Sequence, residues 1–176
     1  MYMQFCPSIF KPIIDRNPHC RMEELTNFQR IDARGCLAGK LRMINRIVTN
    51  SYNKVLRDHG IEVTVAQLNL LATISKMDKP RQVDVCMELG IEKSTLSRDL
   101  ERLRVQNLVT RKAHPEGGPG YLILTERGLE YMDLMLPVWQ KAQNEMKMAM
   151  GLEAVEAVNK LAALMKIKYL SPNPVM

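Results

Sequence analysis

Apolar residues recur at three- and four-residue steps through Leu37, Leu41, Ile44, Val48 and Val55, with Tyr52 adjoining. The spacing predicts helix over Arg21 to His59 with a narrow, seam-like apolar stripe, and Gly60 supplies its stop. Thr64 with Gln67 three residues later then reads as a capping box opening a second helix on Leu68, Leu71 and Ile74, closed at Lys79-Pro80. Two short amphipathic helices follow, Gln82 to Glu88 and Lys93 to Gln106, joined through Leu89-Gly90-Ile91. In the second, Leu96, Leu100 and Leu103 share one face, and Ser94 and Arg98 centre the other.

Beyond Asn107 the period changes. Leu108–Lys112 and Tyr121–Leu124 have strand character, separated by the turn-rich His114-Pro115-Glu116-Gly117-Gly118-Pro119-Gly120, so they predict a hairpin. A helix then runs from Thr125 to about Met150 with Pro137 inside it, Gly151 breaks it, and a last amphipathic helix covers Leu152 to Lys168. Proline within the longer helix should kink it or sit at a bend. Residues 1–21, with Pro7, Pro12 and Pro18, read as an irregular N-terminal extension, and Ser171-Pro172-Asn173-Pro174 as a loop.

Composition fits this mostly helical order. The chain of 176 residues has few aromatics and thirteen methionines, which favour helix packing over a β-sandwich. No run approaches the roughly 18 apolar residues of a membrane span, and no secretory leader opens the chain, so a cytoplasmic location without membrane partners is expected. The net charge of +6 is compatible with nucleic acid. Its excess lies before Gly60, however, whereas Glu92, Asp99 and Glu101 offset Lys93, Arg98 and Arg102 in the segment with the hydroxyl-rich face.

That face holds the candidate chemistry. Arg98 suits the O6 and N7 acceptors of guanine, and Ser94, Thr95 and Ser97 suit phosphates or a thymine methyl in a major groove. The plain alternative is the solvated side of a surface helix. A short preceding helix, a tight turn and a following hairpin favour a winged helix-turn-helix instead. Lys93, Arg102, Arg111 and Lys112 complete the expected DNA-contacting set.

The segments Leu89-Gly90-Ile91-Glu92-Lys93-Ser94-Thr95-Leu96-Ser97-Arg98 and Leu124-Thr125-x-x-Gly128, with the hairpin between them, resemble the MarR family of bacterial transcriptional regulators. The likeness covers about Leu37 to Met165. It implies a mainly α fold with a small β-hairpin wing, a winged helix-turn-helix within a helical homodimer. The expected organisation is dimerisation by 22–60 and 145–170, DNA binding by 61–128 and a linking helix over 129–144. The resemblance further implies a regulator, a repressor by preference, that binds a pseudo-palindromic operator in double-stranded DNA and responds to a small aromatic or anionic effector. Arg42, Arg46, Tyr52 and His59 are candidates for the effector crevice. One departure stands out: family wings carry an arginine near the tip, and none occurs between Lys112 and Tyr121.

The four cysteines, Cys6, Cys20, Cys36 and Cys86, form no CxxC pair and read as free thiols. Cys36 is the candidate redox sensor, since Arg34 and Lys40 stand near it in sequence. Cys86 falls where the family places a small residue packed under the recognition helix. The grouping His19-Cys20 with Cys6 matches no zinc spacing, so no metal or cofactor is expected. The histidines His19, His59 and His114 lie far apart and no GxSxG, HExxH or phosphate-loop pattern occurs, so an enzyme is not expected. Two alternatives remain beside the regulator: a protein-interaction module on the same fold, and a thiol-based redox-sensing regulator.

Overall fold

The computed structural model describes residues 32, 34–113 and 117–170, with the side chains of 169 and 170 excepted. The N-terminal extension, Cys6, His19, Cys20, His114 and the Ser171–Pro174 loop lie outside the described residues. The chain divides into two units, Met1–Lys40 and Leu41–Met176.

Of the helix expected from Arg21, residues 21–31 and 33 lie outside the described residues, and 34–36 are not helical. Asp32 Oδ1 accepts from the backbone amides of Arg34, 3.1 Å, and Gly35, 2.8 Å. These bonds hold a turn at Arg34–Gly35, and α1 (Leu37–Asp58) begins only after it. Asp32 offers the backbone a local acceptor that competes with the helical ladder, which apolar spacing cannot reveal. The first four residues of α1 fall in this unit.

In the second unit, α2 (Val65–Lys76) starts at the expected cap. Thr64 Oγ1 accepts from Gln67 N, 3.3 Å, and Gln67 Oε1 accepts from Thr64 N, 3.0 Å. Helix α3 (Gln82–Leu89) ends at Gly90, whose φ of +62° provides the left-handed turn into α4 (Lys93–Val105). Strands β1 (Val109–Lys112) and β2 (Tyr121–Leu124) pair antiparallel, with Val109 opposite Leu124 and Lys112 opposite Tyr121. Helix α5 (Glu126–Met150) runs on through Pro137, and α6 (Leu152–Met165) follows Gly151. The α-helix expected to reach Lys168 stops at Met165 and widens into a π-helical turn over Lys166–Leu170.

The core lies beneath α4. Leu96, Leu100 and Leu103 pack with Leu56, Leu71, Val85, Leu108, Leu122 and Met135. Each fully buried leucine contributes roughly 1.5–3 kcal/mol, which is why the apolar stripe of α4 turns inward and its hydroxyl-rich stripe faces water. The Leu-Thr-x-x-Gly segment is the joint between wing and α5. Thr125 Oγ1 accepts from Gly128 N, 3.0 Å, and donates to Asn107 O, 2.6 Å, while Thr125 N donates to Leu108 O, 3.1 Å. A Cβ on Gly128 would overlap the Leu108 carbonyl, so only glycine lets the two segments approach this closely.

Candidate nucleic-acid interface

The outward face of α4 is built by its inward one. With Leu96 and Leu103 fully buried, the 100° step leaves Ser94, Thr95, Ser97, Arg98, Glu101 and Arg102 exposed, as it does Lys93 at the helix start. Glu92 is the N-cap, but its side chain makes no capping bond.

The cations on this helix differ in how they are engaged. Arg104 binds Glu101 through two bonds, Nε to Oε2 at 2.9 Å and a terminal guanidinium nitrogen to Oε1 at 2.8 Å. That pairing holds the Glu101 carboxyl below the usual carboxylate range. Arg102 lies 3.5 Å from Asp99 Oδ1, and the same oxygen accepts from Gln67 Nε2 at 3.3 Å. Among the described residues Arg98 has no ion-pair or hydrogen-bond partner, so its guanidinium is free for an external acceptor. Sequence reasoning found the Gln67 capping bond but missed the role of Arg104 and the bond from Gln67 to Asp99. The i,i+3 spacing of Glu101 and Arg104 was a readable signal, but nothing local links Gln67 to Asp99.

The remaining expected residues divide between two clefts and open surface. Lys93 and Arg111 line a cleft of about 610 Å³ among α3, the Gly90 turn and the hairpin. Ser97 and Arg111 line a second one of about 290 Å³ between α4 and the hairpin. Ser94, Thr95, Arg98, Arg102 and Lys112 border neither cleft. Cys86 is half-buried in the first, where burial, then the charge of Glu92, push its thiol up against the opposing effect of Lys93.

The four residues expected to form an effector crevice are not gathered in one place. Tyr52 is buried, its hydroxyl donates to Gln143 Oε1, and burial pushes its pKa up. It borders an apolar groove of about 500 Å³ lined by α1, α5 and α6, which Arg42, Arg46 and His59 do not reach. Arg42 and Arg46 are exposed. The His59 ring bonds Val55 O through Nδ1, 2.8 Å, and meets Lys141 Nζ at Nε2, 3.3 Å. Cys36 is exposed just ahead of α1. Among the described residues no cluster of His, Cys, Asp or Glu is arranged to hold a metal, and no helix is long and apolar enough to cross a membrane.

Comparison with known proteins agrees with this geometry. Residues 60–118 match the model of the MarR family. The M. tuberculosis transcriptional regulator MosR in complex with DNA is 27% identical, with a TM-score of 0.62, covering 73% of this chain and 92% of that one. A cysteine mutant of E. coli MarR complexed with operator DNA is 21% identical, with a TM-score of 0.64 and coverage of 73% and 92%. Bordetella bronchiseptica BpsR, described with the regulation of its DNA binding by 6-hydroxynicotinic acid, is 18% identical, with a TM-score of 0.67 and coverage of 77% and 96%. No curated protein sequence matches the chain at a significant level. Over residues 60–118 the chain is thus similar to the MarR family, and solved MarR-family regulators share its fold.

Proposed function

We propose that this protein is a cytoplasmic, DNA-binding transcriptional regulator rather than an enzyme, and that it inserts α4 into the major groove. The observation that supports this most is the exposed Ser94, Thr95, Ser97 and Arg98 face standing on buried Leu96, Leu100 and Leu103. Arg98 reads a guanine, the hydroxyls contact phosphate or a thymine methyl, and Lys93, Arg102, Arg111 and Lys112 contact the backbone. MosR and MarR, which share this fold, are each solved with DNA, which supports DNA as the partner.

The working unit in this reading is a homodimer on a pseudo-palindromic operator, acting as a repressor. Dimerisation is assigned to 22–60 and 145–170, DNA binding to 61–128, and 129–144 links them. Its support is apolar surface left open on α1 and α6, including Leu41, Ile44, Leu152, Val158 and Leu161. A small aromatic or anionic effector then acts by preferring one spacing of the two recognition helices. Tyr52, Arg42, Arg46 and His59 remain its candidate contacts.

The test is selection of duplexes from a random-sequence pool by the purified protein, followed by gel retardation of the enriched sequence. Enrichment of a two-fold related site, retarded in the presence of competitor, is expected. Neither enrichment nor retardation at low salt would overturn the regulator reading and favour a protein-interaction role for the fold.

A further inference from the structure

The wing lacks the arginine its family places at the tip, yet the fold sets a cation beside it from elsewhere in the chain. The loop between α2 and α3 runs along β2, where Leu122 N donates to Pro80 O at 2.8 Å. Its Lys79 and Arg81 share one shallow hollow of about 280 Å³ with Gly117 and Pro119 of the hairpin tip. The two cations are not equivalent. Arg81 is held in a two-pronged pair with Asp84, with bonds of 3.0 and 2.9 Å, which neutralises it in place. Lys79 is exposed and makes no ion pair among the described residues.

The backbone at Lys79 is informative as well. Lys79 has φ of +44°, and Asn107 is the other described non-glycine residue with positive φ. Asparagine tolerates this region, whereas a lysine is strained in it. Glycine would satisfy the loop geometry better, so backbone conformation does not account for a lysine there. A lysine in a strained backbone conformation, at the rim of the hairpin tip, points to use of its charge.

We propose that Lys79 is a DNA-phosphate contact that takes over the electrostatic role of the absent wing arginine. The inference rests on the DNA-binding reading above. Because a lysine at the loop edge meets backbone rather than base edges, it adds affinity and salt dependence without adding sequence preference.

The experiment compares wild type, Lys79→Gly and Lys79→Arg by fluorescence anisotropy on the duplex recovered from the random pool, across a salt series. Glycine suits the positive φ, so Lys79→Gly keeps or raises the melting temperature and any loss of binding cannot be laid to misfolding. Lys79→Gly is expected to bind several-fold more weakly, with the slope of log K against log salt lowered by about 0.9 per protomer. Lys79→Arg is expected to retain the wild-type slope. Wild-type affinity and slope in Lys79→Gly, on a duplex that the wild type binds, would overturn this inference alone. Failure of the wild type to bind any selected duplex would overturn both it and the reading beneath it.

Discussion

Gln67 on α2 donates its side-chain amide to Asp99 on α4, 3.3 Å away and 32 residues along the chain. The same Gln67 closes the capping box with Thr64, so one side chain, 5% exposed, ties the start of α2 to α4. Val65 N in turn donates to Asn53 Oδ1 of α1 at 2.8 Å. A polar chain thus runs from α1 through the α2 N-terminus to the Asp99–Arg102 pair.

Replacing Gln67 with leucine removes the acceptor of Thr64 N and leaves Asp99 with Arg102 as its partner. Each lost bond contributes about 0.5–1.5 kcal/mol net, or about 1–3 kcal/mol for the two, so Gln67→Leu is expected to lose about that much in urea unfolding. Asn107→Ala is not equivalent to it, because only the Asn107 main-chain carbonyl accepts from Thr125. If Gln67→Leu unfolds at the wild-type urea midpoint, the Gln67–Asp99 bond carries no stability.

Gly128→Ala drives a methyl group into the Leu108 carbonyl, which is backbone and cannot rotate away. Overpacking of this kind costs about 1–3 kcal/mol, and here it separates α5 from the wing. The expected result is a lower melting temperature together with faster amide exchange at Thr125 and Gly128. Unchanged exchange at both would show that the joint yields without strain.

Asp84 supplies a pH-dependent contribution. Its hydrogen bonds with the Arg81 guanidinium hold its carboxyl below the ordinary range, against a smaller opposing effect of desolvation. A depressed folded pKa means stability is present above the unfolded value, about 3.9, and is lost as pH falls through the lower folded value. Asp84→Asn should therefore be less stable than wild type at pH 7, with the two converging in acid. A gap that stays constant down to the acid limit would exclude the Arg81–Asp84 pair as its source.

Arg98→Ala removes an exposed side chain with no partner among the described residues, so its melting temperature should stay at the wild-type value. On the selected duplex it should lose about 1–3 kcal/mol of base discrimination. The check is binding to that duplex and to single-base variants of it. Retained discrimination at every position would remove Arg98 from base reading.

Most of the fold was legible along the chain because its determinants are local. The Thr64–Gln67 box, the Gly90 turn, the Thr125 start of α5 and the apolar run of β2 each depend on residues a few positions apart. The water-facing side of α4 followed from the leucine spacing alone, since burying Leu96, Leu100 and Leu103 leaves one orientation. The start of α1 at Leu37 is not legible in the apolar spacing, because the turn ahead of it is held by the Asp32 carboxylate.

What packing decided is the state of each polar group. Tyr52 reaches Gln143 across 91 residues, Gln67 reaches Asp99 across 32, and Lys79 comes beside Gly117 and Pro119 only because β2 pairs with the Pro80 carbonyl. Periodicity states which side of an element faces inward, because hydrophobic burial is non-directional and sums over a stripe. Hydrogen bonds and ion pairs need specific atoms within about 3 Å, a condition set by how the elements meet and therefore invisible to spacing along the chain.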